Sequence, residues 1–210
     1  KADGLAGGKG VVILDQLSHI VGQKVIDKSL KRYFDEWAYK HPNASDFKRI
    51  VEKESGIELD WYFEYFVNTT KTIDYSIHEI IGDEKGTQIL LKKGEMPMPV
   101  EFNIVLQNGT VSKYYIPTVL MRGEKEVELN TKILSDWAWT NPYYSIRLDQ
   151  APSEIKEIQL HTTGHIADIE PLNDRVKMPD NWDWNKYKLR LKLLEKKKKG
   201  TIKKFVKIKK

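Results

Sequence analysis

Two of the five histidines, His161 and His165, stand four residues apart, the separation at which one helix face can offer both imidazoles to a metal ion. Between them lie Thr162, Thr163 and Gly164, so no carboxylate is placed as a general base and the glycine disfavours the helix. The pair therefore reads as a strand end and turn, each imidazole meeting water or a backbone carbonyl. No His-Glu-x-x-His occurs, and there is no Gly-x-Ser-x-Gly elbow. Gly4 to Gly10 fails the phosphate-loop pattern because Lys9 is followed by glycine. Carboxylate pairs such as Glu52/Glu54, Glu58/Asp60 and Asp83/Glu84 read as a solvated face in a chain with 30 acids. The chain has no cysteine, which excludes disulfides and thiolate zinc sites.

The remaining chemistry-bearing groups are aromatic and cationic. Trp137, Trp139, Trp182 and Trp184 are candidates for a surface that binds peptide or glycan. Trp137 and Trp139 share a sheet face if that segment is extended, and packing against the helical segment is the simpler alternative. The cluster Trp61, Tyr62, Phe63, Tyr65 and Phe66 reads as core. The net charge of +5 conceals a division: from Lys186 to Lys210 there are 13 Lys/Arg against the single acid Glu195, a balance of +12. The other 185 residues hold 22 basic and 29 acidic side chains, a balance of −7. Such a tail is a candidate for contact with an anionic surface; nucleic acid is disfavoured because base-stacking aromatics are sparse among its lysines.

These groups must be carried by a fold, and 210 residues of which 40% are apolar can build a sizeable core. Mean hydropathy is −0.55, and no apolar run approaches the roughly 18 residues that span a bilayer, so a soluble protein is expected. Val11, Leu14, Leu17, Ile20 and Val21 recur at helical spacing from Lys9 to Val21, ended by Gly22. A second helix runs through Val25, Ile26, Leu30, Tyr33, Phe34 and Trp37 and stops before His41-Pro42. Asn43 or Ser45 caps a third, closed at Ser55-Gly56, and a fourth is expected from Glu58 to Val67.

After Asn68 the period changes to two. Strands are predicted at Ile73 to Ile81, Thr87 to Lys92, Val100 to Leu106, Val111 to Val119, Lys125 to Leu129, Tyr143 to Leu148 and Ile155 to His161, with Asn108-Gly109 as a hairpin turn. Seven short strands at this spacing predict a β-sandwich. In the tail, apolar and cationic residues alternate from Tyr187 to Leu193, and Ile202, Phe205, Val206 and Ile208 follow beyond the lysine run, which fits a β-hairpin with one apolar face. The expected class is α+β: a helical segment over 1–71, an immunoglobulin-like β-sandwich over 72–170, and a basic extension over 171–210.

Several phrases, taken in order, resemble a known arrangement. They are Lys9-Gly10-Val11-Val12-Ile13-Leu14-Asp15-Gln16-Leu17, Tyr33-Phe34-Asp35-Glu36-Trp37, His41-Pro42, and Ser55-Gly56-Ile57-Glu58-Leu59-Asp60-Trp61-Tyr62-Phe63. Further on come Lys93-Gly94-Glu95-Met96-Pro97-Met98-Pro99-Val100, Asp136-Trp137-Ala138-Trp139-Thr140-Asn141-Pro142, and Gly164-His165-Ile166-Ala167-Asp168. Together they resemble the late catalytic-domain helices and following β-sandwich of aminopeptidase N family gluzincin metallopeptidases, particularly the Bacteroidetes-type members. The resemblance runs from Lys9 to Asp168 and gives no support to the basic extension.

The resemblance implies that this chain is the non-catalytic carboxy-terminal portion of a zinc aminopeptidase, supporting the catalytic portion and shaping the cleft for a peptide substrate. Its partner would be the preceding, catalytic part of the same polypeptide, which would hold the zinc; no cofactor site is expected in this chain, which alone should be inactive. The family's oxyanion-stabilising tyrosine would fall two residues before the Lys-Gly pair, where this sequence has Gly7. Either the residues before Lys9 are linker or the parent has lost part of its transition-state stabilisation. A setting in the bacterial cell envelope or periplasm is implied by the resemblance alone. The competing reading is a catalytically silent binding or scaffolding module for peptide, glycan or an anionic surface.

Overall fold

A computed structural model describes residues 3–83, 86–161, 163–178, 188–193 and 204–209. It is an α+β structure of four helices followed by two sheets. Helix α1 (Asp3–Val21) is followed after one residue by α2 (Gln23–Trp37), then come α3 (Ala44–Ser55) and α4 (Asp60–Asn68). The α1–α2 break is local in origin: Gly22 adopts φ 92°, a region that side chains with a Cβ avoid, and its N–H still bonds to the Ser18 carbonyl at 2.9 Å. Asn43, rather than Ser45, caps α3; its side chain accepts from the Ser45 and Asp46 N–H groups while Asp46 reaches back to the Asn43 N–H. Gly56 closes α3 in the left-handed region. One difference lies at the start, where α1 continues upstream of Lys9 through the glycine-rich lead-in. Once later turns have nucleated a helix, each glycine weakens its extension by only about 1 kcal/mol relative to alanine.

The strands are β1 (Tyr75–Asp83), β2 (Gly86–Lys93), β3 (Val100–Leu106), β4 (Val111–Ile116), β5 (Thr131–Ile133), β6 (Tyr143–Leu148), β7 (Ile155–Leu160), β8 (Arg175–Lys177), β9 (Lys188–Leu193) and β10 (Lys204–Lys209). One sheet has the order β10-β9-β1-β2-β6 and the other β5-β4-β3-β7-β8, every neighbouring pair antiparallel except β4 with β5. The predicted strand at Lys125 to Leu129 is absent; Lys125 instead reaches the end of α1, Leu129 is exposed, and the strand forms later at Thr131. The strand predicted to run to Val119 stops at Ile116, because Pro117 has no N–H to continue the ladder.

The boundary expected at residue 170 falls inside the sheets, since β8 pairs with β7 beyond it. The basic extension is likewise no appendage: β9 and β10 form the expected hairpin, and β9 pairs with β1. In that register Glu79 pairs with Arg190, Ile80 with Leu189 and Ile81 with Lys188.

Helices and sheets share one continuous apolar core. It runs from Leu17, Ile20 and Val51 through Leu59 and Tyr62 to Tyr75, Ile80, Phe102 and Ile158. Met96 and Met98, in the β2–β3 connection, are buried in it, and Tyr75 Oη both donates to the Met98 carbonyl at 2.9 Å and accepts from its N–H at 2.7 Å. Burying the aromatic phenol is tolerable because both of its hydrogen-bonding roles are used. Among the described residues no helix is long and apolar enough to cross a membrane.

Candidate functional site

The last turn of α1 carries Ser18 and His19 against the sheet that contains β3 and β4, and the seam opens into a cleft of about 570 Å³. Glu101 of β3, Lys113 of β4, Lys125, Glu128 and His165 also line it. His19 is buried, and Nε2 lies 3.0 Å from the Pro99 carbonyl, so that nitrogen carries the proton and donates. Nδ1 is left as an acceptor with no partner, 4.0 Å from a Glu101 carboxylate oxygen. Burial in the first place, and the nearby Lys125 ammonium in the second, hold the His19 pKa at about 3, so the ring is neutral at physiological pH.

Lys125 closes this end of the cleft. Its Nζ donates to the His19 carbonyl at 2.7 Å, pairs with Glu101 and lies over the Tyr115 ring at 5.4 Å from its centroid. The ammonium thus meets one of the orphan carbonyls at a helix C-terminus, where the helix dipole favours positive charge. On the opposite rim Lys113 pairs with Glu128. The charges are of both signs and largely paired, Lys125 with Glu101 and Lys113 with Glu128, so the cleft offers fixed hydrogen-bonding groups rather than a field of one sign. Among the described residues it holds no assembled nucleophile: Ser18 Oγ donates to the Asp15 carbonyl at 2.7 Å, while His19 is committed to Pro99.

His161 and His165 do not form a helical pair. His161 follows β7 in the left-handed region at φ 50°, Gly164 N–H returns to its carbonyl at 3.3 Å, and the two rings part. His165 is exposed to solvent at the cleft mouth with Nδ1 2.6 Å from an Asp15 carboxylate oxygen, in place of the expected water or carbonyl. The His161 side chain is buried against the Tyr75 ring, with neither nitrogen hydrogen-bonded.

The tryptophans are also separated. Trp137 is 3% exposed, donates from Nε1 to the Asn141 carbonyl at 2.8 Å and packs on Tyr75 and Tyr144. It is core, not part of a surface platform. Trp139 is 47% exposed and keeps an open face. Trp182 and Trp184 lie outside the described residues. The cleft residues His19, Glu101 and Lys125 carried no signal in the sequence, because Lys125 stands between Glu124 and Glu126 like any residue of a mixed-charge loop. No protein-family model matches the chain.

Proposed function

We propose that this chain is the non-catalytic carboxy-terminal portion of a zinc aminopeptidase, its helices completing the catalytic portion and its sheets, an immunoglobulin-like sandwich, bracing that portion and shaping the peptide cleft. The observation that carries the reading is unburied apolar surface on the first two helices. Val11 is 69% and Phe34 71% exposed, and Val12 and Leu30 are also exposed. Leu30 and Phe34 stand one helical turn apart, a spacing that gives a continuous apolar stripe. Isolated exposed apolar residues are ordinary, whereas a stripe of this kind marks surface meant to be covered. The single core joining helices and sheets supports the same reading, since a brace must transmit its position to the helices it holds.

The residues present do not fit the catalytic zinc. One of the two i, i+4 histidines is buried on Tyr75 and the other is paired with Asp15 at the surface, and the chain has no His-Glu-x-x-His. The zinc and its general base therefore belong, in this proposal, to the preceding part of the polypeptide, as do the peptide-cleaving step and the envelope or periplasmic setting.

The test is reconstitution. The upstream segment of the parent, zinc-loaded, is assayed on aminoacyl amides alone, with this chain, and with Phe34→Asp. The reading requires His-Glu-x-x-His upstream, no activity from this chain alone, and activity that depends on this chain and falls with Phe34→Asp. An upstream segment without that motif, or one equally active without this chain, refutes it.

A second reading, an anionic-surface anchor, is favoured by the tail register, which pairs Lys188 with Lys209 and Arg190 with Lys207 across the β9–β10 ribbon. Binding to anionic vesicles that weakens steeply with salt would support it, and salt-insensitive or absent binding would remove it.

A further inference from the structure

Three short segments between β7 and β8 deliver ligand-type side chains to one buried point. His161 follows β7 in a left-handed backbone conformation that costs a non-glycine residue about 1 kcal/mol or more. Asp168 lies in the return segment that bridges to Ile73, and its two oxygens accept from the Tyr75 N–H at 2.7 Å and the Glu170 N–H at 2.8 Å. Asp174 ends the short 3-10 turn Pro171–Asn173, and its backbone carbonyl accepts the Leu160 N–H at 2.7 Å, which sets it beside His161. One ligand atom from each of the three lies within 4.8 Å of the others. His161 Nε2 and an Asp168 oxygen are 3.8 Å apart, with the side chains 5% and 3% exposed.

We propose that His161, Asp168 and Asp174 form a divalent metal site of the zinc class, which clamps the end of β7, the return segment and the start of β8 together. An imidazole with both nitrogens unpartnered in a buried position forfeits its hydrogen bonds. A metal ion answers this by accepting the ring lone pair at a point where Asp168 and Asp174 also bring a ligand oxygen each. Burial keeps His161 neutral, with a pKa of about 3, so that lone pair is available at neutral pH. Asp168 is already oriented by two backbone N–H groups, the supporting contacts that fix a metal ligand's direction.

The donor set selects the metal. One imidazole with two carboxylates suits zinc or manganese, whereas calcium and magnesium favour all-oxygen cages. In a tetrahedral zinc site with bonds of roughly 2.0 Å, neighbouring ligand atoms are about 3.3 Å apart, so the 3.8 Å pair must close by about half an ångström. The Asn173 side-chain amide oxygen Oδ1, one residue before Asp174, is buried without a hydrogen-bond partner and is the nearest further donor in sequence. Clamping here is independent of the aminopeptidase proposal, whose zinc would lie outside this chain.

The test uses the 210-residue chain stripped with chelator, then titrated with ZnCl2 and, in parallel, MnCl2 and MgCl2. The expected result is one equivalent of Zn2+ bound with a rise in Tm, weaker Mn2+ and little Mg2+. His161→Gln and Asp174→Asn should each weaken zinc by at least about tenfold, and His165→Gln, at the surface, should not. If a variant fails to fold, 15N spectra of wild-type imidazoles decide: the His161 ring nitrogens must shift on adding zinc while the other histidines stay. No zinc binding, equal binding in His161→Gln, or an unmoved His161 resonance overturns the site.

Discussion

Acid should destabilise this protein through His19 in a way that one substitution isolates. The folded-state pKa is depressed to about 3, against about 6.5 for the same side chain unfolded. Between those values the unfolded chain binds about one more proton than the folded chain, so the stability contributed by His19 is complete above pH 6.5 and is lost as pH falls toward 3. Each pH unit in that window removes about 1.4 kcal/mol, so the loss by pH 4.5 is about 3 kcal/mol, a large share of the roughly 5–15 kcal/mol that holds a domain folded. Asp168 opposes the trend, because burial raises its carboxyl pKa and the folded state gains relative stability as that group protonates. A comparison within one background is therefore needed. His19→Gln keeps an N–H donor for the Pro99 carbonyl and removes the titration. Urea denaturation at half-unit steps from pH 7 to 4.5 should show the wild type steeper than His19→Gln by about 1.4 kcal/mol per pH unit. Identical slopes would show that the imidazole is not held neutral by burial.

Other substitutions probe the contacts that position the cleft and sheets. Tyr75→Phe strands the Met98 N–H and carbonyl in the core, and should lower urea stability by about 2–4 kcal/mol with an unchanged m-value. Gly86→Ala should cost at least about 2 kcal/mol in the same assay, since φ is 130° and an added Cβ would lie 2.1 Å from the Leu148 carbonyl oxygen. Asn43→Ala removes the cap of α3 and should cost about 1 kcal/mol, read as a drop in Tm of roughly 2–4 °C. Trp137→Ala should cost about 3–5 kcal/mol, whereas Trp139→Ala should stay within about 0.5 kcal/mol in the same melts.

What was legible in the sequence is what neighbours in the chain decide. Gly22, Asn43 and Gly56 punctuate the helices as read, because caps and positive-φ turns are settled by hydrogen bonds a few residues apart. The limits of β3 and β6 match the alternation of apolar and polar residues, and the alternating tail does pair as a hairpin. Where a distant partner competes, local reading fails. Lys125 leaves a segment with strand-like spacing because the carbonyl end of α1, 106 residues earlier, takes its ammonium. The three-residue β8 is too short for periodicity to register, and pairing with β7 alone creates it.

The same division governs the sites. Sequence by itself excluded thiolate chemistry and argued against a helical zinc pair, because both depend on residue types at fixed spacing. It could not tell that Trp137 would be enclosed and Trp139 open, since burial depends on Tyr75 and Tyr144 arriving from other strands. Nor could it join His161 to Asp168 and Asp174, or His19 to Glu101 and Lys125. Side-chain chemistry is written residue by residue, but closing the loops that bring such groups within a few ångströms is driven by burial of the shared core, a property of the whole chain.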